Sequence, residues 1–176
     1  MTKLPLLGIV AAGSNAGKTT LITQLLPALA KHHVRASVIK HAHHKFDIDH
    51  PGKDSYNIRE AGAVQTLIAS GNRWALMTEM SRTPEYTDEA NLQELIAQLN
   101  PEYADLILVE GFKKSQVPKI EVHRPSLGLP LLANNDPSII AVACDEDISC
   151  SIPQLALNDT QAVCNFIIQW IQQHHD

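Results

Sequence analysis

Long apolar runs are missing from this chain of 176 residues. None reaches the roughly 18 residues that a membrane-crossing helix needs, so no membrane partner is expected. A basic surplus is missing too: Lys and Arg number 14 against 19 Asp and Glu, for a net charge of −5. That balance argues against a nucleic-acid partner held by bulk charge. Cysteine is scarce. Cys144, Cys150 and Cys164 are an odd count with no CxxC pair. A disulfide framework or a thiolate zinc site is not expected, the thiols read as buried or incidental, and a reducing cytoplasmic setting fits. Internal repeats and low-complexity tracts are also absent. These exclusions leave a globular α/β candidate: one domain over residues 1–176, or one domain with an insertion. The length suffices to bury a core, and the 44% apolar content agrees.

The most informative segment present is Ala12-Gly13-Ser14-Asn15-Ala16-Gly17-Lys18-Thr19. A phosphate-binding P-loop asks for Gly, four residues, then Gly-Lys-Thr or Gly-Lys-Ser. Gly17, Lys18 and Thr19 match. Ala12 stands at the first glycine position, with Gly13 one step later. Gly13 and Gly17 tolerate backbone angles that a Cβ forbids. Successive N–H groups from Gly13 to Thr19 can then turn inward on a phosphate. Lys18 adds a mobile charge for the β and γ oxygens, Thr19 offers a hydroxyl to Mg²⁺, and the following helix adds its positive end. The context fits: the motif must follow a strand and open a helix. The apolar run 4–12 reads as a buried parallel strand. Leu21, Ile22, Leu25, Leu26 and Leu29 then recur at helical spacing. Pro27 inside that helix costs about 3 kcal/mol and predicts a kink or early bend. Lys3 and the apolar residues after it imitate a short signal peptide. The run ends in the loop itself, so cleavage would destroy the site, and a core strand is expected instead.

Further strands are expected at 34–40, 64–70, 73–78, 106–110, 119–123 and 139–144. Gly71-Asn72 reads as a hairpin turn joining the second and third of these. Residues 119–123 (KIEVH) alternate as a half-exposed strand does, and with 73–78 they are candidate edges for sheet extension. A short helix is expected over 55–62, capped by Asp54 or Ser55 and ended by Gly62. Leu92, Leu95, Ile96 and Leu99 mark a helix that stops before Pro101. Asn158 with Gln161 forms a capping box for a last helix lined by Val163, Phe166, Ile167, Trp170 and Ile171. Strands alternating with helices predict an α/β, P-loop NTPase-type layered fold with a mostly parallel sheet and an antiparallel hairpin section. Such a sheet binds ligands at the carboxyl ends of its strands.

Asp105-Leu-Ile-Leu-Val-Glu110-Gly111 supplies a second part of the site. Four apolar residues feed an acid at a strand's carboxyl end, where a P-loop protein needs a carboxylate for Mg²⁺, usually through water. Glu110 takes the place usually held by Asp. Residues 40–55 form a polar, His-rich stretch. His41, His43 and His44 lack a Cys partner, and a phosphate- or partner-facing loop is expected ahead of a transition-metal site or a bland solvated loop. Asp47, Asp49 and Asp54 are within this stretch and are candidates to reach Mg²⁺ or a catalytic water; Asp47 is taken as the catalytic acid. Lys40 and Lys53 either neutralise phosphate charge or are solvated.

With these residues in view, the chain resembles the MobB family of molybdopterin-guanine dinucleotide biosynthesis proteins. The resemblance rests on GSNAGKTTL at 13–21, KHAHH at 40–44, GKDSYNIREAGA at 52–63, RWALMTE at 73–79 and DLILVEGFK at 105–113. It implies GTP as ligand, with Mg²⁺, weak hydrolysis and a homodimer. It also implies assistance to a MobA-type guanylyltransferase that, with molybdopterin-handling proteins, attaches a guanine nucleotide to the molybdenum cofactor. The family's phosphate loop maps onto Gly13, Ser14, Asn15, Ala16, Gly17, Lys18, Thr19 and Thr20, and its acidic strand end onto Glu110. The guanine-reading Asn-Lys-x-Asp of general GTPases is absent, since Asn134-Asn135-Asp136 lacks the Lys. Asp145 is the carboxylate to test against guanine N1 and N2, with an ordinary loop acid as the alternative. Arg59 and Arg73 are the nearest candidates for an arginine finger, and slow turnover is expected. A P-loop small-molecule kinase and a nucleotide-binding scaffold without relevant hydrolysis are the competing readings. Only Arg82 lies in the 79–91 segment where a kinase would carry its lid arginines.

Overall fold

The computed structural model describes residues 4–42, 46–84, 86–87 and 89–174. The chain divides into two compact units, residues 1–41 with 92–176 and residues 42–91. In chain order, β1 (Leu6–Val10), α1 (Lys18–Lys31) and β2 (Ala36–Lys40) open the first unit. The second unit holds α2 (Asp54–Glu60), β3 (Gln65–Ala69) and β4 (Trp74–Thr78). The first resumes with α3 (Leu92–Ala97), β5 (Leu106–Glu110), β6 (Lys119–His123), β7 (Ile139–Cys144), β8 (Gln154–Ala156) and α4 (Thr160–Gln173).

The first unit is built on a six-stranded sheet of order β2-β5-β1-β6-β7-β8, with every described pairing parallel. Strands buried on both faces read as near-continuous apolar runs, and β5 is buried at all its residues. One face of the sheet carries Leu7, Ile9, Ile120 and Val122, packed with Leu21, Leu25 and Leu29 of α1 and Val163 and Ile167 of α4. A second cluster joins Ile39, Ile107 and Val109 to Leu92, with Ile96 and Leu99 against it. Helix α1 continues past Pro27 to Lys31. The proline forgoes one hydrogen bond without ending the helix. Among the described residues no helix is long and apolar enough to cross a membrane.

Three expectations are corrected here. Strand β6 is neither half exposed nor an edge, for it lies between β1 and β7 with all its residues buried. The Lys119 ammonium, wholly buried, pairs with Asp136 at 2.7 Å and donates to the carbonyls of Lys113 at 3.1 Å and Ser115 at 2.5 Å. Glu121, equally buried, accepts the backbone N–H groups of Leu132 and Ala133 at 2.8 and 2.9 Å. Buried polar groups persist where they are hydrogen-bonded, and these two clip neighbouring loops to the strand. Gly8 of β1 makes room for the lysine stem, because a Cβ there would lie 2.6 Å from Lys119 Cγ. Secondly, Asp159 rather than Asn158 caps α4, accepting from the Ala162 N–H at 3.0 Å, while Gln161 bonds Asn165. Thirdly, Lys53 occupies the cap position of α2 and Asp54 falls in its first turn. Strand β8 is an addition to the expected set.

In the second unit β3 and β4 form a two-stranded antiparallel sheet, with Leu67 opposite Leu76 and Ala69 opposite Trp74. The Ser70 N–H donates to the Arg73 carbonyl at 2.8 Å, closing the turn at Gly71-Asn72.

Candidate functional site

The loop between β1 and α1 sits at the carboxyl end of an inner strand, the ligand-binding end of a parallel sheet. Gly17 caps α1 with φ 102°, a left-handed conformation that a side chain would strain. No side-chain cap and no first-turn acid among the described residues answers the amides of the α1 N-terminus. Those donors and the helix dipole therefore face the loop and favour an anion. Lys18 folds back over the loop, its ammonium donating to the Gly13 carbonyl at 3.0 Å. Burial lowers the pKa of Lys18, with the Glu110 carboxylate partly opposing that shift.

An acidic flank lies on the β5 side. Glu110, the last residue of β5, is 7% exposed. The Thr19 hydroxyl donates to its Oε1 at 2.7 Å. Lys40, the last residue of β2, places its ammonium 3.1 Å from Thr19 Oγ1 and 3.2 Å from the same Glu110 oxygen. Three elements thus converge on one spot that already accommodates a cation. A hydroxyl and a carboxylate are hard oxygen donors of the kind Mg²⁺ takes, so Thr19 and Glu110 fit that ion. Lys40 is closer to the centre of this arrangement than its place in a polar stretch suggested.

On the other flank, Asp145 was anticipated and Arg124 was not. Arg124, the residue after β6, donates from Nε to the Ala16 carbonyl at 3.1 Å and pairs with Asp145, the residue after β7. Asp145 Oδ1 is buried without a partner among the described residues. Arg124 also lines a pocket with Gly17, Thr20, Gln24, Leu157 and Asn158. Its only sequence signal is position, at the carboxyl end of the strand that proves to neighbour β1.

Gly13 to Thr20, Glu110 and Asp145 therefore gather around one loop of the first unit. Asp47 belongs to the second unit. There it pairs with Arg59 at 2.6 Å and accepts the Asp49 N–H at 3.0 Å. The Asp49 N–H foremost, with Arg59 beside it, holds this carboxyl below its usual range. Arg59 also meets Glu79 at 3.3 Å and Glu60 at 3.5 Å. His41 stacks on Phe112 with ring centroids 4.6 Å apart. His43 and His44 lie outside the described residues. Among the described residues no group of three or more His, Cys, Asp or Glu could hold a metal ion. Cys144 and Cys164 are buried, and burial pushes both thiols up.

Comparison with known proteins bears on the same loop and sheet. Residues 6–145 match the family model MobB, molybdopterin guanine dinucleotide synthesis protein B. The chain is 44% identical over 175 residues to the molybdopterin-guanine dinucleotide biosynthesis adapter protein of Escherichia coli K12, covering 99% of this chain and 97% of that one. The adapter protein of that name from Haemophilus influenzae is 40% identical, with 98% and 93% covered. A crystal structure of molybdopterin-guanine biosynthesis protein B (mobB) superposes with TM-score 0.69 at 27% identity, covering 94% of this chain and 99% of that one. A MobB homologue from Bacillus stearothermophilus, at 21% identity and TM-score 0.69, shares the fold. Matched by that family model over residues 6–145 and 40–44% identical to two adapter proteins over nearly their whole length, the chain belongs to the MobB family.

Proposed function

We propose that this protein is a GTP-binding adapter of molybdopterin guanine dinucleotide biosynthesis, with slow GTPase activity, working beside a MobA-type guanylyltransferase and molybdopterin-handling proteins. The observation that carries the nucleotide part is the meeting of Thr19, Glu110 and Lys40 beside the Gly17–Lys18 turn. The backbone from Gly13 to Thr20 binds the phosphates, and Lys18 follows the charge that develops on the γ-phosphoryl group. Thr19 and Glu110 would hold Mg²⁺, which neutralises β and γ oxygens when bound. Hydrolysis is slow in this reading because Arg59 is committed to Asp47, Glu60 and Glu79 rather than free to act as a finger. The family and the adapter names of the relatives support the pathway. A homodimer and a cytoplasmic setting complete the proposal, the first supported by the outer edges of the β3–β4 sheet, which pair with no further strand among the described residues.

The test is nucleotide titration of purified protein in Mg²⁺. Wild type should prefer GTP and GDP over ATP, and Lys18→Ala should lose tight triphosphate binding. Unchanged GTP affinity in Lys18→Ala would remove the central assignment.

A further inference from the structure

The loop has two unlike flanks. On the β5 side Glu110, Thr19 and Lys40 mark the metal end of a triphosphate. On the β6 side the pocket lined by Gly17, Thr20, Gln24, Arg124, Leu157 and Asn158 opens next to the first turn of α1. A nucleotide whose metal-bound phosphates face Glu110 must direct its nucleoside away from that acid, towards this pocket. Leu157 is 5% exposed and offers an apolar wall, whereas Gln24 and Asn158 bring amides.

Arg124 is held in a way that suits a surface rather than a phosphate hook. Nε is fixed on the Ala16 carbonyl and Nη1 on Asp145. Its Nη2 lies 3.6 Å from where a Gly17 Cβ would stand, so the guanidinium is spread against the open side of the glycine. The Asp145 carboxylate neutralises the charge, which leaves the planar face as what the group can offer. A guanidinium plane held by hydrogen bonds at its edge is suited to stacking on an aromatic ring.

We propose that Arg124, fixed by Asp145 and the Ala16 carbonyl, is the platform on which the purine ring of the nucleotide stacks, and that Asp145 acts through Arg124. The inference rests on the nucleotide reading given above and adds the place and mode of base binding. It predicts that Arg124 contributes to affinity only when a nucleoside is attached to the phosphates.

The experiment compares GTP, GDP and inorganic tripolyphosphate, each titrated in Mg²⁺ against wild type, Arg124→Ala and Arg124→Lys. Loss of the platform should weaken GTP and GDP by about tenfold, the scale of a desolvated stacking contact, and leave tripolyphosphate affinity unaltered. Arg124→Lys keeps a cation beside Asp145 but removes the plane, so it should show the same nucleoside-dependent loss in a less perturbed loop. Equal losses for tripolyphosphate and GTP would mean that Arg124 acts on the loop through Ala16, and would overturn the proposal. Undiminished GTP affinity in both variants would overturn it as well. The nucleotide reading fails separately, if wild type binds neither GTP nor tripolyphosphate.

Discussion

Glu110 shows how much a single side chain carries at this site. Its carboxylate is nearly enclosed, yet it receives a hydroxyl and an ammonium on one oxygen. Glu110→Gln keeps the shape and removes the charge. A partner that orients a metal-binding group typically contributes 10- to 100-fold in metal affinity, so Mg²⁺ should lose about that much of its enhancement of GTP binding. Titration with and without EDTA reads this directly; an unaltered Mg²⁺ benefit would take Glu110 out of the site. The residues most legible in the sequence were those with contiguous signals: Gly17, Lys18 and Thr19 in one motif, and Glu110 at the end of an apolar run. Arg124 was not legible because its partner Ala16 is 108 positions away. No local spacing encodes that contact, which exists only once β6 is laid beside β1.

At the scale of elements, strand β6 explains where pattern reading stops. Alternating polar residues normally mark a solvated face, but Lys119 and Glu121 meet their partners inside the protein. Period alone cannot separate a hydrated charge from a buried, paired one, because both place a polar residue at every second position. The three-residue β8 was too short to carry a period at all. The Lys119–Asp136 pair also has a measurable consequence. Burial raises the Asp136 pKa, but hydrogen bonds from Lys119 and Ser138 outweigh it, and the folded-state value falls below the ordinary 3.8. A carboxyl shifted down contributes stability above its unfolded pKa and loses it as pH falls through the folded value. Asp136→Asn leaves the Lys119 charge enclosed without its counter-ion, which should destabilise the fold by about 3 kcal/mol at neutral pH. Chemical denaturation should show that gap narrowing as pH falls below the ordinary carboxyl value of 3.8, as wild type protonates Asp136 and the variant has nothing there to titrate.

At the scale of the whole molecule, the two units differ in how they treat apolar surface. The first encloses its sheet between helices, whereas α2 of the second has no buried residue and its hairpin stands largely uncovered. Cross-strand partners share a face, so Leu67 and Leu76, Ala69 and Trp74 lie together on one side of β3–β4. Leu67 and Trp74 are each 60% exposed. An isolated two-stranded sheet is marginal in water, and a contiguous apolar face of this kind is usually covered by a partner. The proposed homodimer supplies that cover if a second copy seats its own hairpin there. Trp74→Lys should then convert the dimer to a monomer, because an ammonium within an apolar contact is left without a counter-charge. Light scattering over a concentration series would measure the change. GTP affinity should stay at the wild-type level, since every residue assigned to the phosphate loop, its acidic flank and Arg124 belongs to the first unit. A variant that remains dimeric would separate the hairpin face from self-association, and a monomeric wild type would remove the homodimer itself.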